Sequence, residues 1–260
     1  MPPSDTSTSL TRSSSSTSFL AAFYLDAVLP ALAELSAHDA PLRTAAAGPC
    51  PFAVTLSVRH VGSRTFAFTR EGHISTTPQP NALRLWFPSA GQFLRTTAQR
   101  PALVLPLAGW SQLPQVRRFS GAGARLETLL NTRPDPDLTL HAWGSLLVGI
   151  RAVTTWLRHH PADRARLLTG IIVFACPAFP SPLHLDLATL ATGTGEPASP
   201  VTARITFADL PTLLAELDHT LDAPAALGLG TLRVEGHLPL AETLSLLMLK
   251  AGNLLKPVNH

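Results

Sequence analysis

The sequence predicts an α+β protein made of two similar halves in tandem. Three observations carry this. Apolar runs of period two alternate with runs of helical period, and their order recurs once along the chain. Residues of the second cycle match residues of the first at offsets that fall from 125–126 to 115 along the chain. Between the cycles lies Thr132-Arg-Pro-Asp-Pro-Asp137, polar and proline-rich as a linker is.

Residues 1–18 are Ser/Thr-rich with almost nothing to bury, which predicts a disordered tail. The first half spans 19–131. Leu25, Val28, Leu29, Leu32 and Leu35 share one helical face, with Pro30 as a kink or boundary. Strands are expected at Phe52–Val58 and Arg64–Thr69, joined by a hairpin turn at Val61-Gly62-Ser63, and at Ala82–Phe87. A short helix over Ser89–Thr97, a strand at Arg117–Ser120 and a short helix at Leu126–Leu130 follow. The second half spans 138–257. Leu146, Ile150, Val153 and Leu157 mark its first helix, which ends near His159-His160-Pro161. Strands are expected at Ile171–Phe174, Leu183–Leu190, Val201–Phe207 and Thr231–Glu235, with a Gly/Pro-rich loop over Thr192–Pro200. Leu210, Leu213, Leu214 and Leu217 form a helical face, and Leu238–Lys250 reads as a final amphipathic helix.

The matches between the halves are specific in places. Ala27, Val28 and Leu32 pair with Ala152, Val153 and Leu157, and Cys50-Pro51 pairs with Cys176-Pro177. Arg84, Phe87 and Leu94 pair with Arg204, Phe207 and Leu214 at an offset of 120. Arg118, Gly121, Glu127, Thr128 and Leu129 pair with Arg233, Gly236, Glu242, Thr243 and Leu244.

Composition narrows the function. Apolar residues make up 45% of the 260 and charged residues 14%, against roughly 25% charged in ordinary soluble domains. Such a chain buries a sizeable core and has little charged surface, which points to an apolar cavity, interface or membrane-facing patch. The net charge is +3, from 18 Arg and 2 Lys against 17 acids, and no run of cations reaches three. A nucleic-acid-binding stripe is therefore not expected. Cys50 and Cys176 are the only cysteines, without a CxxC pair. That excludes a disulfide framework and fits a reducing, cytoplasmic compartment. The longest charge-free apolar stretch, Leu167–Leu185, contains Pro177, Pro180 and Pro182 and cannot span a membrane as a helix. Asp26 interrupts the apolar start at Phe19–Leu25, so no signal peptide is expected.

Catalytic patterns are missing: no Gly-x-Ser-x-Gly elbow, P-loop, GxGxxG after a strand or HExxH occurs. Gly193-Thr-Gly195 reads as a plain turn. His159 and His160 point about 100° apart on a helix and do not converge on a metal; capping of the helix end is the expected role. Glu127 and Glu242 read as helix-start charges, Asp209 as a helix cap, and both cysteines as buried structural residues. No catalytic group, metal or cofactor is expected.

Ala203–Asp218, Ala223–Gly236 and Leu238–Leu244 together resemble the sterol carrier protein 2 family. The shared pattern is a strand, a short helix, an alanine-containing turn, a glycine before a Leu-x-Val-x-Gly strand, and a final helix starting near Leu-Ala. Gly228 or Gly230, Leu232, Val234, Gly236, Leu240 and Ala241 fill it. The first half fits more loosely, and Pro101–Pro114 departs from the pattern. The resemblance implies two tandem sterol-carrier-like domains, each a mixed, mostly antiparallel sheet of about five strands covered by helices. It implies a hydrophobic tunnel, with Phe207, Leu210, Leu214, Leu217, Leu227, Leu232, Val234, Leu244, Leu247 and Met248 as lining candidates.

The expected function is non-enzymatic binding or transfer of a lipid: a fatty acid, an acyl-CoA, or a sterol- or isoprenoid-like molecule. The final helix would gate the cavity, and a transient contact with a membrane surface belongs to this reading. The alternative is a scaffold that presents a lipid-like intermediate, such as a quinone precursor, to partner enzymes. A hydrolase or acyltransferase would require a convergent acid–base pair, and the sequence shows none.

Overall fold

A computed structural model describes residues 16–133 and 137–253. Most of the expected tail lies outside the described residues, but Ser16–Ser18 already belong to the first helix. The described residues divide into two compact units, 16–36 with 41–123, and 37–40 with 124–133 and 137–253.

In the first unit, α1 (Ser16–His38) is long and apolar enough to cross a membrane, yet more than half of its most apolar stretch is buried. Phe23, Leu25, Leu32 and Leu35 form its buried face, and its middle packs on a strand of the sheet. That middle is a π-helical turn, Tyr24–Val28, where Leu29 N–H donates to the Tyr24 carbonyl at 2.9 Å. Pro30 next to it has no N–H to give, so the helix absorbs the proline by widening rather than by ending. Asp26 on this turn is ion-paired with Arg64.

A short helix α2 (Ala40–Ala46) leads into β1 (Phe52–Val58), β2 (Gly62–Phe68), β3 (Ile74–Ser75) and β4 (Leu83–Phe87). Then come α3 (Ala90–Thr97), β5 (Leu105–Ala108), a 3-10 turn (Trp110–Gln115) and α4 (Val116–Asn131), whose residues from 124 on belong to the second unit. The sheet order is β3-β2-β1-β4-β5, with β1 and β4 parallel and the other neighbours antiparallel.

The second unit contains α5 (Leu138–His159), α6 (Pro161–Arg164), β6 (Ile171–Ala175), β7 (Leu183–Asp186), β8 (Ala191–Thr194) and β9 (Ala203–Phe207). It continues with α7 (Leu210–Leu217), α8 (Ala223–Leu229), β10 (Leu232–Gly236) and α9 (Leu238–Asn253). Its sheet, read from one edge, is β8-β7-β6-β9-β10, again with one parallel pair, β6 and β9. Strand for strand this is the order and sense of the first sheet. The protein is thus a tandem duplication of an α+β unit with a mixed, mostly antiparallel five-stranded sheet.

The offset of 120 is a true structural equivalence. It lays β4 on β9, α3 on α7, and the cap Ser89 on the cap Asp209, whose side chains accept from Gln92 N–H and Thr212 N–H. Two other matches fail. Cys50 precedes β1 whereas Cys176 follows β6. Arg118 and Gly121 lie in a helix, whereas Arg233 and Gly236 lie in a strand.

Arg117–Ser120 is helical rather than a strand, because Phe119, Ala122, Leu126 and Leu129 place one continuous apolar face along α4. Ala122, Leu126 and Leu129 are buried, and Phe119 packs on Phe66 and Phe68. The short helix expected at Leu126–Leu130 is the end of that same 16-residue helix, and Glu127 sits inside it rather than at a start. Pro101–Pro114 is not an insertion: it supplies β5, the counterpart of β10. The stretch Leu183–Leu190 breaks after Asp186, whose carboxylate accepts from Ala188 N–H, Thr189 N–H and the Thr189 hydroxyl. The chain then returns as β8, so Gly193 is in a strand and not a turn. The His184 ring stands 2.5 Å from where a Cβ on Gly193 would be, so a larger residue there has to displace that ring. The segment expected as a linker joins α4 to α5, and its residues 134–136 lie outside the described residues.

Two arginines hold buried polar groups. Arg118, 7% exposed, donates to the carbonyls of Ala46, Cys50 and Thr69 at 2.7, 2.7 and 2.6 Å. It also lies over the Phe52 and Phe68 rings, and burial pulls its guanidinium below the usual pKa. In the second unit Arg125 forks onto Asp39 and also meets Asp137, a pairing that holds it well above the usual range.

Candidate functional site: the apolar face and last helix of the second unit

Register places one face of the second sheet in rows. Leu232 lies beside Phe207. Val234, Ile205, Phe174 and Leu183 form the next row, and Gly236, Ala203, Ile172 and Leu185 the one after. All the apolar members are buried except half-buried Val234. The opposite face carries Arg204, Thr206, Arg233, Glu235 and His184, with Arg204 ion-paired to Glu196 at 2.7 Å. One side of the sheet is therefore oily, as period-two alternation dictates, and the other is polar on its outer strands, with Val173 of the central strand buried there.

Helix α9 packs on β9, β10 and α5. Gly236 brings it there. Its φ is +86°, and a Cβ would stand 2.3 Å from the Thr202 carbonyl oxygen. A glycine is required where the chain turns from β10 into α9, as the sequence predicts. Leu240, Ala241, Leu244 and Leu247 form the buried stripe of α9. Close approach to α5 occurs at Gly149, where a Cβ would lie 3.0 Å from Met248 Cε.

Of the ten sequence-predicted lining residues, Phe207, Leu232, Leu244 and Leu247 are buried. Leu210, Leu214, Leu217, Val234 and Met248 are half-buried, and Leu227 on α8 is 47% exposed. Phe207 and Leu232 meet directly across β9 and β10.

An open cleft of about 430 Å³ lies on the other side of α9. Asp163 on α6, and Arg166 and Leu167 just after it, form one wall; Thr243, Leu246, Leu247, Leu249 and Lys250 of α9 form the other. Leu247 is the only one of the ten predicted residues that lines it. The signal for the rest was in the sequence: Thr243, Leu246, Leu247 and Lys250 fall at helical spacing, a second stripe beside the core stripe. The volume lies within the ordinary range of small-molecule sites, about 300–1,000 Å³. Asp163 accepts from Trp156 Nε1 at 2.7 Å, and this bond lowers its pKa, with Lys250 and Arg166 adding to the effect. Asp163 therefore stays ionised beside Arg166 and Lys250, and the rim of an otherwise leucine-rich cleft carries two cations and one carboxylate.

Next to it, Trp156 stacks on His160 at 3.6 Å. His159 Nδ1 and His160 Nδ1 meet the carbonyls of Thr155 and Trp156 at 2.9 and 3.0 Å, so these rings bind the helix end. Among the described residues no group of three or more His, Cys, Asp or Glu is placed to hold a metal. The cysteines differ from expectation: Cys176 is buried but Cys50 is exposed. Burial also pushes the Cys176 thiol pKa up. An aromatic disulfide reagent is expected to label Cys50 in the native protein and Cys176 only after denaturation; rapid labelling of both would contradict this placement.

No family model matches the sequence, and no curated protein does. Solved structures that match are sterol carrier protein 2 domains, and the chain is similar to them. Sterol carrier protein 2-like 2 from Aedes aegypti matches at 23% identity, over 36% of this chain and 94% of its own, with a TM-score of 0.26. A palmitated form of the Aedes aegypti protein matches at 22%, over 37% and 91%, with a TM-score of 0.29. The sterol carrier domain of the ubiquinone synthesis protein UbiJ matches at 20%, over 52% and 93%, with a TM-score of 0.30.

Proposed function

We propose that this protein binds or transfers lipid without catalysing a reaction on it, and that its ligand is an acyl chain with an anionic head. The observation that carries this is the cleft beside α9: leucines along its length, with Arg166 and Lys250 at its rim against the single carboxylate of Asp163, a net positive charge. Each ligand methylene removed from water contributes roughly 0.8 kcal/mol, so a chain of modest length binds by burial alone. Leu247 links the cleft to the buried stripe of α9, since it belongs to both. An outward shift of α9 would open the way from the cleft to Phe207, Leu232, Leu244 and the other residues that the family resemblance proposes as lining.

The test is native mass spectrometry of the purified protein with organic extraction of its cargo, followed by titration with a fluorescent fatty acid. Leu246→Asp combined with Leu249→Asp is expected to weaken fatty-acid binding by at least about ten-fold, because apolar burial is replaced by charge repelling the head group. Both positions are exposed, so the melting temperature should hold. Leu244→Asp is a poor probe, since Leu244 is 1% exposed and a buried carboxylate would unfold the unit. Unchanged affinity in both the Leu246/Leu249 double variant and Met248→Asp would sink the proposal. If the protein is empty, takes up no fatty acid and instead co-purifies with enzymes, the accessory reading takes its place. An isoprenoid quinone precursor would then be the next probe.

A further inference from the structure

We propose that the β5 edge of the first unit is a docking surface for an anionic phospholipid membrane. This gives the membrane contact expected of a lipid carrier a definite surface, on a different unit from the cleft and argued from residues the cargo reading does not use.

The segment from Pro101 to Val116 carries no charged side chain. It folds as edge strand β5 and the 3-10 turn, and it presents Leu103, Leu105, Leu107, Trp110 and Leu113 to solvent. Trp110 is 62% exposed, Leu107 59% and Leu103 53%. Along the strand the exposure alternates, with Val104 and Pro106 half-buried between the exposed leucines. The leucines therefore share one face by the strand's own pleat. In the turn the usual polarity is reversed. Gln112 points inward, accepting from Ala53 N–H at 3.3 Å and donating to the Asn81 carbonyl at 2.6 Å, while its apolar neighbours Trp110 and Leu113 point out.

Charge identifies the occupant. No Asp or Glu occurs between Glu71 and Glu127, and six arginines do. Of these, Arg84, Arg95, Arg100 and Arg117 are exposed. Arg100 and Arg117 bracket the apolar segment in sequence. Arg84 pairs with Ala108 across the sheet. Arg95 is on α3, which holds the start of the segment through a 2.9 Å bond from Leu103 N–H to Gln92 Oε1. Exposed leucines and a tryptophan, with exposed arginines before, after and across the sheet from them and no carboxylate in the stretch between Glu71 and Glu127, suit an interface of acyl chains beneath anionic head groups. Strand addition by another chain is disfavoured. Pro106 lacks an N–H on this edge, and the pairing of β4 with β5 is bulged at Arg84/Leu85.

The experiment is vesicle flotation of the full chain, with phosphatidylcholine vesicles and with vesicles that also contain phosphatidylglycerol. Binding to the anionic vesicles alone, falling with added salt, is expected. Leu107→Ser with Trp110→Ser should abolish flotation. Arg100→Gln with Arg117→Gln should weaken binding to anionic vesicles by about 30-fold. Either double variant is checked by melting temperature and by fluorescent fatty-acid uptake, neither of which should change. Loss of flotation with intact fatty-acid uptake confirms the surface whether or not the cargo assignment is right in detail. Equal flotation of the wild type and both variants would overturn the proposal. So would an absence of binding to anionic vesicles, or a concentration-dependent dimer abolished by Trp110→Ser.

Discussion

Replacing Arg118 by methionine is expected to destabilise the first unit by about 3–5 kcal/mol, read as a shift of the denaturation midpoint in urea. The guanidinium is the shared donor for three carbonyls, those of Ala46, Cys50 and Thr69. Methionine fills the space but donates nothing, so all three acceptors lose a charge-assisted bond. The site is built for the planar fork: a Cβ on Gly48 would lie 2.8 Å from Arg118 Cζ, so the guanidinium rests directly on the backbone there. Arg118→Lys should therefore recover little, since an ammonium cannot reach three divergent acceptors. A loss below about 1 kcal/mol for the methionine variant would mean that water takes over the carbonyls and the clamp is dispensable.

Gly236→Ala is expected to cost about 2–5 kcal/mol in the second unit, from backbone strain added to overpacking. The positive φ is unfavourable for alanine, and the clash is with the Thr202 carbonyl, which cannot rotate away. That carbonyl also accepts from His237 N–H at 3.0 Å, so displacing it disturbs the entry to α9 as well. Lipid affinity should fall together with stability, because α9 forms one wall of the cleft. A variant that melts as the wild type does would show that the strand end relaxes freely.

These two residues differ in how far the sequence reveals them. Gly236 was legible, since a glycine between a Leu-x-Val strand and an amphipathic helix has a local reason to be there. Arg118 was not. Its partners at 46, 50 and 69 are distant in sequence, and the run around it, Arg117-Arg-Phe-Ser120, is short enough to pass for a strand. The repeated architecture was visible because strand and helix periods are local properties. The residue matches that suggested it were only partly equivalent: β4 with β9 is a true pair, whereas the two Cys-Pro pairs come at opposite ends of their strands. β5 is hidden in the sequence because Pro106 within it and Pro101 before it mask the alternation of Leu103, Leu105 and Leu107. At the candidate site the inner stripe of α9 was read from its leucines. The outer stripe was not, because a leucine at helical spacing does not disclose which wall it faces.

The repeated strand order also sets a problem during folding. While the chain is unfolded, β1 meets two segments of suitable length and polarity for its parallel partner, β4 and β9. Wrong partnering of this kind is a common failure of chains with repeated units. The inward residues of the two candidates are Leu83, Leu85 and Phe87 in one, and Ala203, Ile205 and Phe207 in the other. Exchanging them puts alanine where leucine is needed and leucine where alanine is, which leaves a void in one sheet and crowds the other. Divergence between the copies thus serves as a proofreading device: each half recognises its own strands by side-chain volume, and the hybrid sheet is penalised on both sides of the swap.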